Sequence, residues 1–179
     1  MNATYFLINT LFDLYLMVVL LRLWLQFAKA DFYNPFSQFV VKATHPIVGP
    51  LRRLIPSVGR LDTATLVLAL AIGALKLFVL GLLAGGTYTA PGLLLGAVFV
   101  ILKEAFSLIF WVLIIRALLS WVNQGYNPIA MVMEQLTEPF LAPIRKIIPP
   151  AGGFDWSILV AIIALQFFQL LLQDFLRGF

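Results

Sequence analysis

The chain contains no cysteine. Disulfides, thiol catalysis, Cys-ligated zinc, iron–sulfur clusters and c-type haem attachment are therefore excluded within it. Histidine is nearly absent as well. The single one, His45, precedes Pro46, and Glu138 takes its place in a second copy of the same segment. A position that accepts either group is a poor metal ligand or catalytic base. Charge is scarce: 11% of residues are Asp, Glu, Lys or Arg, against about 25% in a soluble domain. The net charge of +4 is too small and too scattered to mark a nucleic-acid groove. There is no phosphate loop, nucleophile elbow, HExxH or histidine cluster. No enzyme activity, cofactor or metal is predicted. A basic leader and a small-residue cleavage pattern are also missing around the first apolar run, which is expected to be a retained helix.

What the chain has is hydrophobicity, at 62% of its 179 residues, with a mean hydropathy of +1.00. Four apolar runs, residues 5–27, 66–83, 91–122 and 158–175, reach the length of about 20 residues that a bilayer core requires. Lipid leaves backbone polar groups unsatisfied, so each run is predicted to be helical. The third exceeds the bilayer thickness and should tilt or protrude.

Between the runs lies a repeat. Residues 34–62 return 93 residues later as residues 127–155, without a gap. Asn34-Pro35 maps on Asn127-Pro128, Thr44 on Thr137, Pro46 on Pro139 and Pro50 on Pro143. Arg52 maps on Arg145, Arg53 on Lys146, Pro56 on Pro149, Gly59 on Gly152 and Asp62 on Asp155. The chain reads as two units, 1–84 and 91–179, each a span, a Pro/Arg loop and a span. Units with two spans each run parallel, related by an axis along the membrane normal. The predicted fold is all-α: a polytopic membrane protein with four transmembrane helices in two parallel repeats, each carrying a short amphipathic interfacial helix.

Asn34 and Asn127 suit the N-cap of that helix, and Pro35 and Pro128 its first position. Phe36, Phe39, Val40 and Ala43 recur at the spacing of one face, as do Ile129, Val132, Met133 and Leu136. Pro46 and Pro139 are expected to end it. A second short segment then runs from Pro50 to Pro56, and from Pro143 to Pro149. Its basic pair, Arg52-Arg53 or Arg145-Lys146, would face headgroup phosphates. Gly59 and Gly152 turn the chain, and Asp62 and Asp155 cap the next span. Arg22, near the end of the first span, is expected to snorkel to the headgroups.

Basic residues set the topology. Lys29, Lys42, Arg52, Arg53, Arg60, Arg145 and Lys146 lie in the two motif loops, whereas the other side has Arg177. The positive-inside rule places both loops in the cytoplasm and both termini in the periplasm.

The doubled pattern N-P-F…T-x-P-x-x-x-P-x-R-R-x-I-P-x-x-G-x-x-D, set between apolar spans, resembles the YggT family. The likeness covers nearly the whole chain. The second copy departs in Lys146 for Arg53 and in Pro149-Pro150. The resemblance implies a small bacterial inner-membrane protein. Some members are associated with osmotic-stress tolerance and ion balance. Plastid relatives are linked to cytochrome assembly and to nucleoid or division organisation. The family supplies no catalytic residues.

Two candidate sites emerge. The first is a polar seam inside the membrane: Asp13, Lys76, Lys103 and Glu104 lie within spans, joined by Ser107 and Gln169, which align with Asp13 and Lys76 in the repeat. A charge at the bilayer centre costs roughly 2.5–3.5 kcal/mol, so these groups should face each other or a wet cavity. They would line an ion or proton path, or pair between helices to fix packing. The second is the repeat-motif surface, Asn34 to Asp62 and Asn127 to Asp155. It would meet anionic lipids or partner membrane proteins, or serve topology alone. Small residues at Ala69 and Gly73, Gly81 and Gly85, and Gly92 and Gly96 should tighten the hairpin between the second and third spans. The expected function is non-enzymatic: tolerance of osmotic or ionic stress through ion movement, or alternatively scaffolding of other membrane proteins. The expected partners are the lipid bilayer, anionic lipids, other membrane proteins and further copies of the chain.

Overall fold

The computed structural model describes residues 2–59, 61–86, 89–122, 126–148 and 155–177. Arg60, Pro149, Pro150 and Gly152, which the sequence reading invoked, lie outside the described residues. Six helices make up the rest: α1 (Ala3–Phe27), α2 (Pro35–Leu54), α3 (Thr63–Leu83), α4 (Ala90–Val122), α5 (Pro128–Ile147) and α6 (Trp156–Arg177). No strand occurs among the described residues, and an isolated bridge pairs Val58 with Leu61 around Gly59, whose φ is 60°. Four helices are long and apolar enough to cross a membrane: Ala3–Phe27, Thr63–Leu83, Ala90–Ser120 and Trp156–Asp174, with mean hydropathies from 1.9 to 2.6. The chain is an all-α, multi-pass membrane protein.

The three spans α1, α3 and α4 pack against one another, and α6 docks on α4 and α5. Leu16, Val19 and Leu20 of α1 meet Leu68, Ala69 and Ile72 of α3 in a core that Leu108 and Val112 of α4 complete. A second core joins Leu113, Leu141, Ile158 and Ala161. Small residues let α3 and α4 approach. A Cβ on Gly73 would lie 3.2 Å from the Ala97 carbonyl oxygen. Outward-facing positions stay apolar, with Phe6, Leu14, Leu94, Phe99, Phe167 and Phe168 exposed. That arrangement suits a solvent as apolar as the core.

The repeated motif differs from the sequence reading in where its helix ends and, in α2, in the face it buries. The helix does not stop at Pro46 or Pro139: α2 and α5 each run 20 residues, through Pro46 and Pro50 and through Pro139 and Pro143. An interior proline costs about 3 kcal/mol in an isolated helix. Here all four are exposed, spaced four residues apart on the outer face. The inner face supplies the compensating burial. That face is the expected one for three of four residues in α5, and is rotated in α2, where Val40 alone of the expected four is buried. In α2 the buried residues are Ser37, Val40, Thr44 and Val48, while Phe39 and Ala43 point outward. In α5 they are Val132, Met133, Leu136, Thr137 and Leu141, and Ile129 is exposed. Threonine can be buried because its hydroxyl bonds back to its own helix: Thr44 Oγ1 donates to Val40 O at 2.8 Å and Thr137 Oγ1 to Met133 O at 2.7 Å.

The amphipathic helices therefore fold onto the bundle. Helix α2 packs on α1 and α3, α5 on α4 and α6, and the two touch each other. Asn34 holds that contact. Its side-chain oxygen accepts from the Phe36 amide at 2.9 Å, capping α2, and its amide donates to Pro128 O at 2.8 Å. The Asp31 amide donates to Gln135 Oε1 at 2.9 Å. Asn127 caps α5, accepting from the amides of Ile129 and Ala130.

Candidate functional site

Three ionisable groups meet within the spans. The Lys76 ammonium of α3 forms an ion pair with Asp13 Oδ1 of α1. Asn9 Nδ2, one turn earlier on α1, donates to Asp13 Oδ2 at 2.9 Å. Glu104 of α4 is buried nearby, and the charges of Asp13, Lys103 and Lys76 act on it. Burial is nearly complete: Lys76 is 5% exposed and Glu104 3%. The other members of the expected seam stand apart. Lys103 is exposed on the outer side of α4, although its charge acts on Glu104, and Ser107 is half-buried. Gln169 is half-buried on α6, which docks on α4 and α5 rather than on the helices that carry Asp13 and Lys76. The sequence reading did not include Asn9. Its four-residue spacing from Asp13 on a helix was the available signal.

A second cluster sits about 13 Å further along α1, nine residues past Asp13. Arg22 is 3% exposed and does not reach the headgroups. Its Nη1 donates to Thr44 Oγ1 at 2.7 Å and to Val41 O at 3.3 Å, and its Nε lies 3.9 Å from Asp62. Asp62 also pairs with Arg52 and caps α3 through the Thr65 amide at 3.3 Å. Arg52 donates onward to Gln26 Oε1 at 3.0 Å. Arg52 is thus tied to a carboxylate rather than presented to phosphates. One buried carboxylate joins α1, α2 and α3.

The second copy repeats the arrangement with one change. Arg116 donates to Thr137 Oγ1, and Arg145 pairs with Asp155 at 2.7 Å. Ser157 donates its amide to Asp155 Oδ1 at 3.1 Å, at the start of α6. Glu138 adds a bridge that the first copy lacks. It lies 3.4 Å from Arg116 and 3.0 Å from Arg145. His45 occupies that position in the first copy, and there Arg22 leans toward Asp62 instead. Arg53 and Lys146, the second member of each basic pair, are exposed, as are Pro56, Pro35 and Lys42.

The electrostatics follow from these contacts. Burial pushes the Asp62 carboxyl up, but hydrogen bonds from Arg52 and Thr65 outweigh it and hold the group below the ordinary carboxylate range. Asp155 behaves alike: burial raises it, and hydrogen bonds from Ser157 and Arg145 bring it below. Burial lowers Arg145, and its bonds to Asp155 and Glu138 more than restore it. Among the described residues no three His, Asp or Glu side chains converge to hold a metal ion.

The CCB3/YggT family model matches residues 1–83 and 95–176. The chain belongs to the CCB3/YggT family. Within it, a Vibrio alginolyticus protein described as an uncharacterized protein in the proC 3′ region is 58% identical, over 97% of this chain and 95% of its own. Escherichia coli K12 YggT is 44% identical, over 99% of this chain and 93% of its own. A Haemophilus influenzae protein is 41% identical, over 99% of this chain and 96% of its own. No solved structure matches.

Proposed function

We propose that this is a non-enzymatic protein of the bacterial inner membrane that supports ion balance under osmotic stress, and that the Asp13–Lys76–Glu104 cluster handles the ion. The observation that carries this reading is the grouping of three ionisable side chains, each from a different span, with Lys76 and Glu104 buried and Asp13 half-buried. Charge in the membrane interior is costly and is associated with ion or proton pathways. The excess of Lys and Arg in the motif loops supports an orientation with both loops in the cytoplasm and both termini in the periplasm. The test is K⁺ and H⁺ flux into liposomes at clamped potential. Flux above that of empty liposomes is expected, and Lys76→Ala should abolish it. A folded protein with no flux in either form would reduce the cluster to a packing device.

A second reading is favoured by the outer faces of α2 and α5. Arg53, Lys146 and Lys42 are exposed there beside Phe39, Ile47, Leu54 and Ile147. Basic and apolar side chains on one surface suit anionic lipids, a partner membrane protein or another copy of the chain. Under this reading the protein is an assembly factor. Arg53→Ala with Lys146→Ala should then abolish a cellular phenotype while leaving any flux intact.

A further inference from the structure

Helices α2 and α5 bury one face alike and differ in a second. Val40, Thr44 and Val48 of α2 are buried, as are their counterparts in the repeat, Met133, Thr137 and Leu141 of α5. Val132 and Leu136 of α5 are fully buried as well. Their counterparts on α2 lie open: Phe39 is 63% exposed, and Ala43 is exposed too. The extra burial comes from the seat that α5 takes on the first half of the chain. Val132 and Leu136 join the core of Leu16, Leu25 and Val40. The Asn34 amide donates to Pro128 O at 2.8 Å, and Phe140 meets Trp24 edge-on with ring centroids 6.0 Å apart.

The seat is doubled as well, and its second copy is open. In the spans, the register that sets Asp13 on Ser107 also sets Leu25 on Leu119 and Trp24 on Leu118. Leu25, Asn34 and Ser37, where α5 sits, are at most 5% exposed. Leu119, Asn127 and Ala130 are half-buried and line a cavity of about 350 Å³, with Arg116 and Asp155 in its wall. The spans show the same asymmetry. Gly73 of α3 is buried against Ala97 of α4. Gln166 of α6, its counterpart in the register of Lys76 with Gln169, is exposed near the middle of a span. Hydrocarbon offers a side-chain amide no hydrogen bond, so that flank favours a neighbouring helix over lipid. An acyl chain likewise gives nothing to Arg116, Asn127 and Asp155. The occupant that fits is the kind that the first seat holds, an amphipathic helix of this repeat, and α2 has the matching face free.

We propose that chains join head to tail by repeating this internal contact: α2 of one chain, led by Phe39 and Ala43, seats in the cavity beside α4 and α5 of the next, and its α1 covers the Gln166 flank of α6. The contact joins two different surfaces, so it closes into a ring or extends. It shares Phe39 with the second reading above but stands under either reading, since no activity is needed to measure it.

A chain without cysteine makes the contact measurable by cross-linking. Trp24 and Phe140 correspond to Leu118 and Ile47, which are both exposed. Leu118→Cys and Ile47→Cys, placed in differently tagged full chains in one bilayer, should be joined to each other by a short bis-maleimide. Neither should be joined to its own kind. Ala130→Phe, which fills the cavity, should lower that cross-linking severalfold, with the melting temperature in detergent showing that the chain still folds. Photobleaching counts in liposomes should find more than one wild-type chain per particle. Each variant joining its own kind would mean a two-fold contact and overturn the proposal. So would a cross-link that Ala130→Phe leaves unchanged. Single chains without a cross-link would leave the cavity to lipid or to another protein, and would also overturn it. Loss of flux or of a cellular phenotype bears on the readings above and not on this contact.

Discussion

Asp62 is the residue on which the first half of the bundle turns. It is 1% exposed and is shared by Arg52, Arg22 and the start of α3. Removing one partner of a buried charge pair costs about 3–5 kcal/mol, because the other is left uncompensated. Asp62→Asn should approach that cost in thermal unfolding in detergent. Asp155→Asn should cost less, since Glu138 still holds both Arg116 and Arg145. Equal losses would deny Glu138 its bridging role. The pH dependence has a defined sign. The native carboxyl of Asp62 is below its unfolded value of about 3.9. The stability it contributes is therefore complete above that value and lost as pH falls through the native one. Wild-type melting temperatures should drop below about pH 4 by more than those of Asp62→Asn.

At the scale of the element, caps and turns were legible, and so was most of the buried face of α5, but not that of α2. Asn34, Asn127, Asp62 and Asp155 sit at helix starts, as their residue types predict. The prolines misled, because the preference against an interior proline is local. Burial of the opposite face, through Val40, Thr44 and Val48, overrides it. The face of α2 was misjudged because Thr44 and Ser37 count as polar in a periodicity, although a threonine bonded to its own helix can be buried. Small residues give a sharper test. A Cβ at Gly73 meets backbone, the Ala97 carbonyl oxygen and Cα at 3.2 and 3.3 Å, whereas at Gly96 it meets the end of the Leu77 side chain. Backbone cannot step aside as a leucine rotamer can. Gly73→Ala should destabilise by about 1–3 kcal/mol, and Gly96→Ala by less, read by unfolding of the purified protein. The reverse order would mean that α3 and α4 do not meet at Gly73.

For the whole molecule, orientation is the prediction that matters most. A periplasm-dependent reporter fused at the C-terminus should be active, and a cytoplasm-dependent one silent. The opposite result would turn the amphipathic helices toward the periplasm and change which partners can reach Arg53 and Lys146. The sequence by itself determined that the chain crosses the membrane four times, that it carries a doubled Pro/Arg motif, and where the helices begin. Hydropathy, caps and repeats are properties of neighbouring residues, so they survive without a fold. Only the tertiary structure decided that Lys76, and not Lys103, faces Asp13, that Arg22 is buried on Thr44, and that α2 and α5 touch each other. Those facts depend on how each helix is rotated about its axis. In lipid the outside of a span is as apolar as its inside, so no hydrophobic face records that rotation. It is set instead by small residues and buried charges meeting across helices, residues far apart in the chain that only packing brings together.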